Sequence, residues 1–166
     1  MTAAVDTLQD EWVEIFPYGV TIGADEQRPV LIFKDETQRY ILPVWISYQD
    51  AQFCAGMSHR KINSPADISI KVLKGADIHL EKCLFTDLKG QHQVVELIFA
   101  GESKIKNMIL QADDVMSFCL TAQAQFFCTK EHMKRSQKID AEIQENVSIG
   151  RINPKGKIII PDRYLN

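Results

Sequence analysis

The sequence predicts an α+β fold: a mixed, largely antiparallel sheet with helices packed on it, extended at the C-terminus by a β-hairpin. Three observations carry that expectation. Short apolar runs rich in β-branched and aromatic residues crowd the N-terminal third. Between Ala76 and Leu110 apolar segments recur in three pieces with turn signals between them. Helix-start signatures stand singly between these groups, without the regular strand–helix alternation of a doubly wound sheet.

Trp12 to Ile22 and Pro29 to Phe33 read as strands separated by the polar "GADEQRP". "KDETQR" turns the chain into "YILPVWI", where Pro43 cannot donate to a sheet ladder and so puts this strand at an edge or a bend. Ser47 is followed three residues later by Asp50, the spacing of a capping box, and opens a helix with Ala51, Cys54 and Ala55 on its inward face. In "NSPADISIKVLKG" Ser64 can cap, Pro65 fits the first helical position and Gly75 can end the helix. "ADIHLEKCLFTDLKGQHQVVELIFAGESKIKNMIL" reads as a three-stranded meander broken at "DLKG" and "AGES". A helix follows from about Asp113 through Leu120, then a short strand at "AQFFC", then a helical turn opened near Thr129 and Glu131. Beyond Met133 the polar "KRSQKIDAEIQEN" leads to "VSIGRINPKGKIIIP", whose Asn-Pro-Lys-Gly turn joins two β-rich arms. The expected division is therefore a domain over 1–133, with a linker and hairpin over 134–166.

At 166 residues the chain suits one domain with an appendage, and 45% hydrophobic and 25% charged residues are globular values. A formal charge of −3 excludes a global electrostatic footprint for nucleic acid and leaves only local contacts. Cys54, Cys83, Cys119 and Cys128 lie apart in apolar surroundings without a C-x-x-C pair, as reduced core residues of a cytoplasmic protein would. No apolar stretch is long enough to span a bilayer and no signal-peptide pattern opens the chain, so no membrane partner is expected. A Gly-rich phosphate loop, a dinucleotide fingerprint and a nucleophile signature are all missing.

The order of the segments resembles the bifunctional nuclease domain family over roughly Trp12 to Met133. "LPVWISYQDAQ" is similar to that family's Leu-Pro-Ile-Trp-Ile-Gly stretch with its acidic residue and following alanine. "DISIKVLKGADIHLEKCLFTDLKG" resembles its second helix and next strand, and "ADDVMSFCLTAQAQFFCTKEHM" its Ser-Asp-Ala-Ile helix and closing strand. The resemblance implies an α+β fold, homo-oligomers, and hydrolysis of RNA and DNA. Where the family carries Arg-Pro-Ser-Asp, this chain has Leu110, Gln111, Ala112 and Asp113, and where it carries Thr-His-Asp-Leu, this chain reads "PADI". Its glutamate is Asp50 here and its glycine Ser47.

Metal-assisted phosphodiester hydrolysis needs carboxylates converging on a divalent ion that activates water and stabilises charge on phosphate. Asp50, Asp67, Asp113 and Asp114 are the candidates, since each starts a helix, and magnesium or manganese is the candidate ion. Asp50 and Asp113 are the expected catalytic pair, and Asp50, Asp67 and Asp113 the expected metal ligands. Capping boxes explain Asp50 and Asp67 without chemistry, and Asp113 can be an N-cap or complement the helix dipole. For single-stranded nucleic acid the candidates are Trp45 as a stacking face, Arg60 and Lys61 in "HRK", and Lys134 and Arg135 in "KEHMKRSQK". Against these stand a core position for Trp45 and a solvated helix face for the second basic cluster. The histidines show no metal-ligand spacing. Two functions follow: a metal-dependent nuclease, or a noncatalytic oligomeric binding or regulatory module. The apolar "KIIIP" arm adds to the expectation of a homo-oligomer.

Overall fold

The computed structural model describes residues 11–22, 28–56, 65–101, 105–137 and 150–151. In chain order these form β1 (Trp12–Ile22), β2 (Pro29–Asp35), β3 (Ile41–Trp45), α1 (Tyr48–Gly56), α2 (Pro65–Gly75), β4 (Ile78–Lys89), β5 (His92–Gly101), β6 (Met108–Gln111), α3 (Ala112–Thr121), β7 (Gln125–Thr129), α4 (Lys130–Gln137) and β8 (Gly150–Arg151). The α+β expectation holds.

One mixed sheet runs in the order β3-β2-β1-β7-β4-β5-β6, with β8 paired to β1. It is two antiparallel meanders, β1–β3 and β4–β6, welded by β7, which is antiparallel to β1 and parallel to β4. α3 returns the chain from β6 at one edge to β7 in the middle. β3, carrying Pro43, is the other edge, where a missing backbone donor is tolerated.

The turn from β2 to β3 is built by Asp35. Its carboxylate accepts the Tyr40 N–H at 3.0 Å and the Thr37 hydroxyl, while its carbonyl accepts the Gln38 N–H at 3.0 Å, with Gln38 at φ 58.

Alternation along the strands sorts residues onto two faces. The inner face presents Phe33, Phe85 and Phe126 from β2, β4 and β7, with ring centroids 5.3, 4.9 and 6.4 Å apart. Against it α3 lays Ala112, Met116, Cys119 and Leu120, the spacing of one helical face, and α4 adds Met133. On the opposite face a small cluster joins Val30, Ile32 and Trp45 to Tyr18 and Ile41.

α4 continues across positions 133 and 134, and both Met133 and Ser136 are buried. Of the C-terminal hairpin, only Gly150 and Arg151 are among the described residues, where they pair with Val20 and Gly19. Ser64 also lies outside the described residues. Cys83, Cys119 and Cys128 are buried free thiols, and the side chain of Cys54 lies outside the described set.

Candidate functional site

The junction between β3 and α1 follows from Ser47. Its hydroxyl accepts the Asp50 N–H at 3.0 Å and its carbonyl the Ala51 N–H at 3.0 Å, which satisfies donors a helix start leaves free. The Asp50 carboxylate is turned to side chains. It takes hydrogen bonds from the hydroxyls of Ser117, on α3, and Ser47. Burial pushes the Asp50 carboxyl above its ordinary range, and the charges of Asp114 and Asp113 push the same way against those hydrogen bonds.

α3 begins at an uncapped position. Gln111 is its N-cap, in extended conformation, with no side-chain cap bond. Of the two structural readings of Asp113, N-cap or complement to the helix dipole, the structure has the second: Asp113 lies in the first turn, where the dipole favours a carboxylate, and reaches sideways to β5. There His92 Nδ1 donates to Asp113 Oδ2 at 2.6 Å, which directs the other ring nitrogen away from the pair. The two side chains are 32% and 19% exposed, so the pair sits at the rim of the core. Asp113 Oδ1 is buried with no hydrogen-bond partner among the described residues.

β5 is held at this point by the next residue. Gln93, fully inside, donates its amide N–H to the Pro43 carbonyl at 3.3 Å and to Ser136 Oγ at 3.0 Å, and its carbonyl accepts His132 Nε2–H at 2.7 Å. Arg135 donates to His132 Nδ1 at 3.0 Å and to Asp87 at 3.3 Å. α4 is thus tied to β3, β4 and β5 within one residue of His92. Burial, and then the Arg135 guanidinium, push His132 down to about 4, with Asp87 opposing. His132 is therefore neutral and structural.

The structure thus brings together Asp50 and Asp113, two of the expected residues, with Asp114 and Ser117 beside them. Asp67 lies half-buried in the first turn of α2, engaged in an interaction of its own, and is not among the charges acting on Asp50. Trp45 is only 7% exposed and packs on Val30 and Ile32, with the Arg28 guanidinium 5.7 Å from its ring centre. Its ring is a core surface rather than a free stacking face, because the sheet's second apolar cluster closes over it. Arg60 and Lys61 lie outside the described residues. Lys134 and Arg135 are exposed on α4, with Lys134 Nζ 5.9 Å from the Tyr40 ring and Arg135 held by Asp87.

His92 is the residue that sequence reasoning missed. Its partner is 21 positions away, and no local spacing announces a pair made between a hairpin and a later helix.

Among the described residues no group of three or more His, Cys, Asp or Glu side chains is arranged to hold a metal ion. A closed protein cage is therefore not what these residues form. Magnesium needs less: one or two carboxylates, completed by water and substrate phosphate. A buried carboxylate oxygen without a partner among the described residues, near enough for its charge to act on the Asp50 carboxyl, fits that mode. No described helix is long and apolar enough to cross a membrane. No protein-family model and no curated protein matches the chain.

Proposed function

We propose that this protein is a cytoplasmic, homo-oligomeric hydrolase of RNA or DNA phosphodiesters, similar to the bifunctional nuclease domain proteins, with its site where α1, α3 and β5 meet. The observation that supports this most is the meeting of Asp50, Asp113 and His92 from three separate elements, with one Asp113 oxygen left unpartnered. A magnesium or manganese ion held there would polarise the phosphate and activate water. Asp113 and Asp50 would hold it. Ser117 fixes the Asp50 carboxylate and His92 fixes that of Asp113, so neither carboxylate has to reorganise when substrate arrives. Lys134 and Arg135, exposed on the helix braced next to His92, supply cations for a single strand. A second reading, a noncatalytic binding module, is supported by Leu110, which offers no clamp for a phosphate where the resembled family has arginine.

The test is cleavage of labelled single-stranded RNA and DNA with magnesium or manganese, beside a chelator control and Asp113→Asn. Hydrolysis that needs the metal and falls about 100-fold or more in the variant would support the hydrolase, since transition-state charge stabilisation is usually the largest catalytic term. Hydrolysis indifferent to Asp113, or none at all, leaves the binding module.

A further inference from the structure

The described helices pack on one face of the sheet, and the other is closed by apolar packing at Val30, Ile32 and Trp45 but not along the row that crosses it from β1 to β6. α3 and α4 pack on the face carrying Phe33, Phe85 and Phe126, and α1 and α2 pack on α3. On the opposite face the strand register aligns Glu14, Phe127, Leu84, Glu96 and Ile109 in one row across β1, β7, β4, β5 and β6. None of these is buried. Trp12 and Phe16 flank Glu14 on the same face at 45% and 47% exposure, and Ile109 is 71% exposed. Large contiguous apolar surface on a folded domain marks an interaction site.

The charges decide what covers it. Lys82 lies on this face, its ammonium 5.8 Å from the Phe127 ring, and Lys34 stands opposite Phe16. Arg28 lies over Trp45 on the same face and Lys82 has Glu81 3.8 Å away, so cations and carboxylates are interspersed here, with Glu14 and Glu96 inside the aromatic row. A polyanion such as nucleic acid would meet carboxylates where it needs cations. A second copy related by a two-fold axis needs a surface complementary to itself, and charges of both signs around an apolar centre supply one.

We propose that this sheet face is the contact between two copies of the chain, with Lys82 of each copy against the acidic row of the other. The inference rests on the homo-oligomer in the function proposed above, and goes beyond it by placing the contact and its charge pairing.

The experiment is the mass in solution of the full chain, an 18.9 kDa protomer, at micromolar concentration. The wild type should weigh two protomers or a multiple. A Trp12→Glu, Phe16→Glu double variant, whose positions are exposed, should keep its circular dichroism and dissociate about tenfold or more readily, as loss of aromatic anchors does. Ile68→Glu with Val72→Glu, on the exposed stripe of α2, should leave the mass unchanged. Lys82→Glu and Glu96→Lys should each weaken association, and mixing the two variants should restore it. A monomeric wild type would overturn the homo-oligomer and this contact together. An oligomer untouched by the Trp12 and Phe16 changes, broken by the α2 changes, or not restored by mixing would overturn the contact alone.

Discussion

At the scale of single residues, the chain shows where one atom decides the outcome. Gly101 ends β5 at φ 123, a region that side chains rarely enter, and a Cβ there would fall on the carbonyl oxygen of Asp77. That oxygen belongs to backbone and cannot swing aside. Gly101→Ala should therefore lower stability by about 2 kcal/mol or more, the usual cost of forcing such a conformation plus the clash. A urea midpoint unchanged from wild type would show that the turn relaxes at no cost. His92 and Asp113 pose the complementary case. Replacing His92 by Ala strands the Asp113 carboxylate against a void, with both oxygens then unpartnered, and should cost about 1–3 kcal/mol. Asp113→Asn keeps the shape and one hydrogen bond to the ring, so it should cost less. Thermal unfolding of the two variants orders them, and the reverse order would mean that the pair is not made in solution.

At the scale of elements, α4 is attached by polar contacts as much as by Met133. Gln93→Leu would strand the His132 Nε2–H in a buried place, take one hydrogen bond from the Pro43 carbonyl and leave the Ser136 hydroxyl only its bond to the His132 carbonyl, for a loss of about 2–3 kcal/mol. The same bracket predicts an acid sensitivity with a definite sign. An unfolded histidine takes its proton near pH 6.5, whereas His132 is pushed down to about 4 in the fold. Between these values the unfolded chain binds more protons, so stability is full above the upper one and declines as pH falls toward the lower. Asp50, whose carboxyl is raised, acts oppositely and recovers stability as pH falls. Urea midpoints measured from neutral pH down to the lower value should fall in the wild type, and fall less steeply in His132→Gln.

Most elements were legible because their signals are local. Pro43 marked an edge, Ser47 marked a helix start and "DLKG" marked a hairpin, and the structure has each. The parallel pairing of β7 with β4 was not legible. "AQFFC" carries strand propensity but nothing in it names a partner, and the choice is made by packing Phe126 against Phe33 and Phe85. The site divides in the same way. Asp50 and Asp113 were legible as acids at helix starts, while His92, Ser117 and Gln93 act through partners distant in sequence. Trp45 carried two readings, a stacking face and a core position, and the structure has the core one, against Val30 and Ile32.

For the whole molecule, the placement of β7 makes a claim about cooperativity. β7 hydrogen-bonds to both meanders, while Phe33 of β2 meets Phe85 of β4 and Gln93 of β5 meets Pro43 of β3 across the core, so the halves should unfold together. Each half carries its own reporter. Trp45, on β3, is the buried tryptophan, whereas Trp12 is already half in water. Cys83, on β4, is buried, and a hydrogen bond with Cys119 together with burial raises its thiol far above the usual range; Cys128, on β7, is pushed up to about 12 by burial. Such thiols alkylate only when the fold opens. Tryptophan fluorescence and alkylation of Cys83 and Cys128 should therefore share one urea midpoint. A fluorescence transition that precedes alkylation would mean that the first meander detaches by itself, and that the aromatic contact of Phe126 with Phe33 is too weak to weld the sheet.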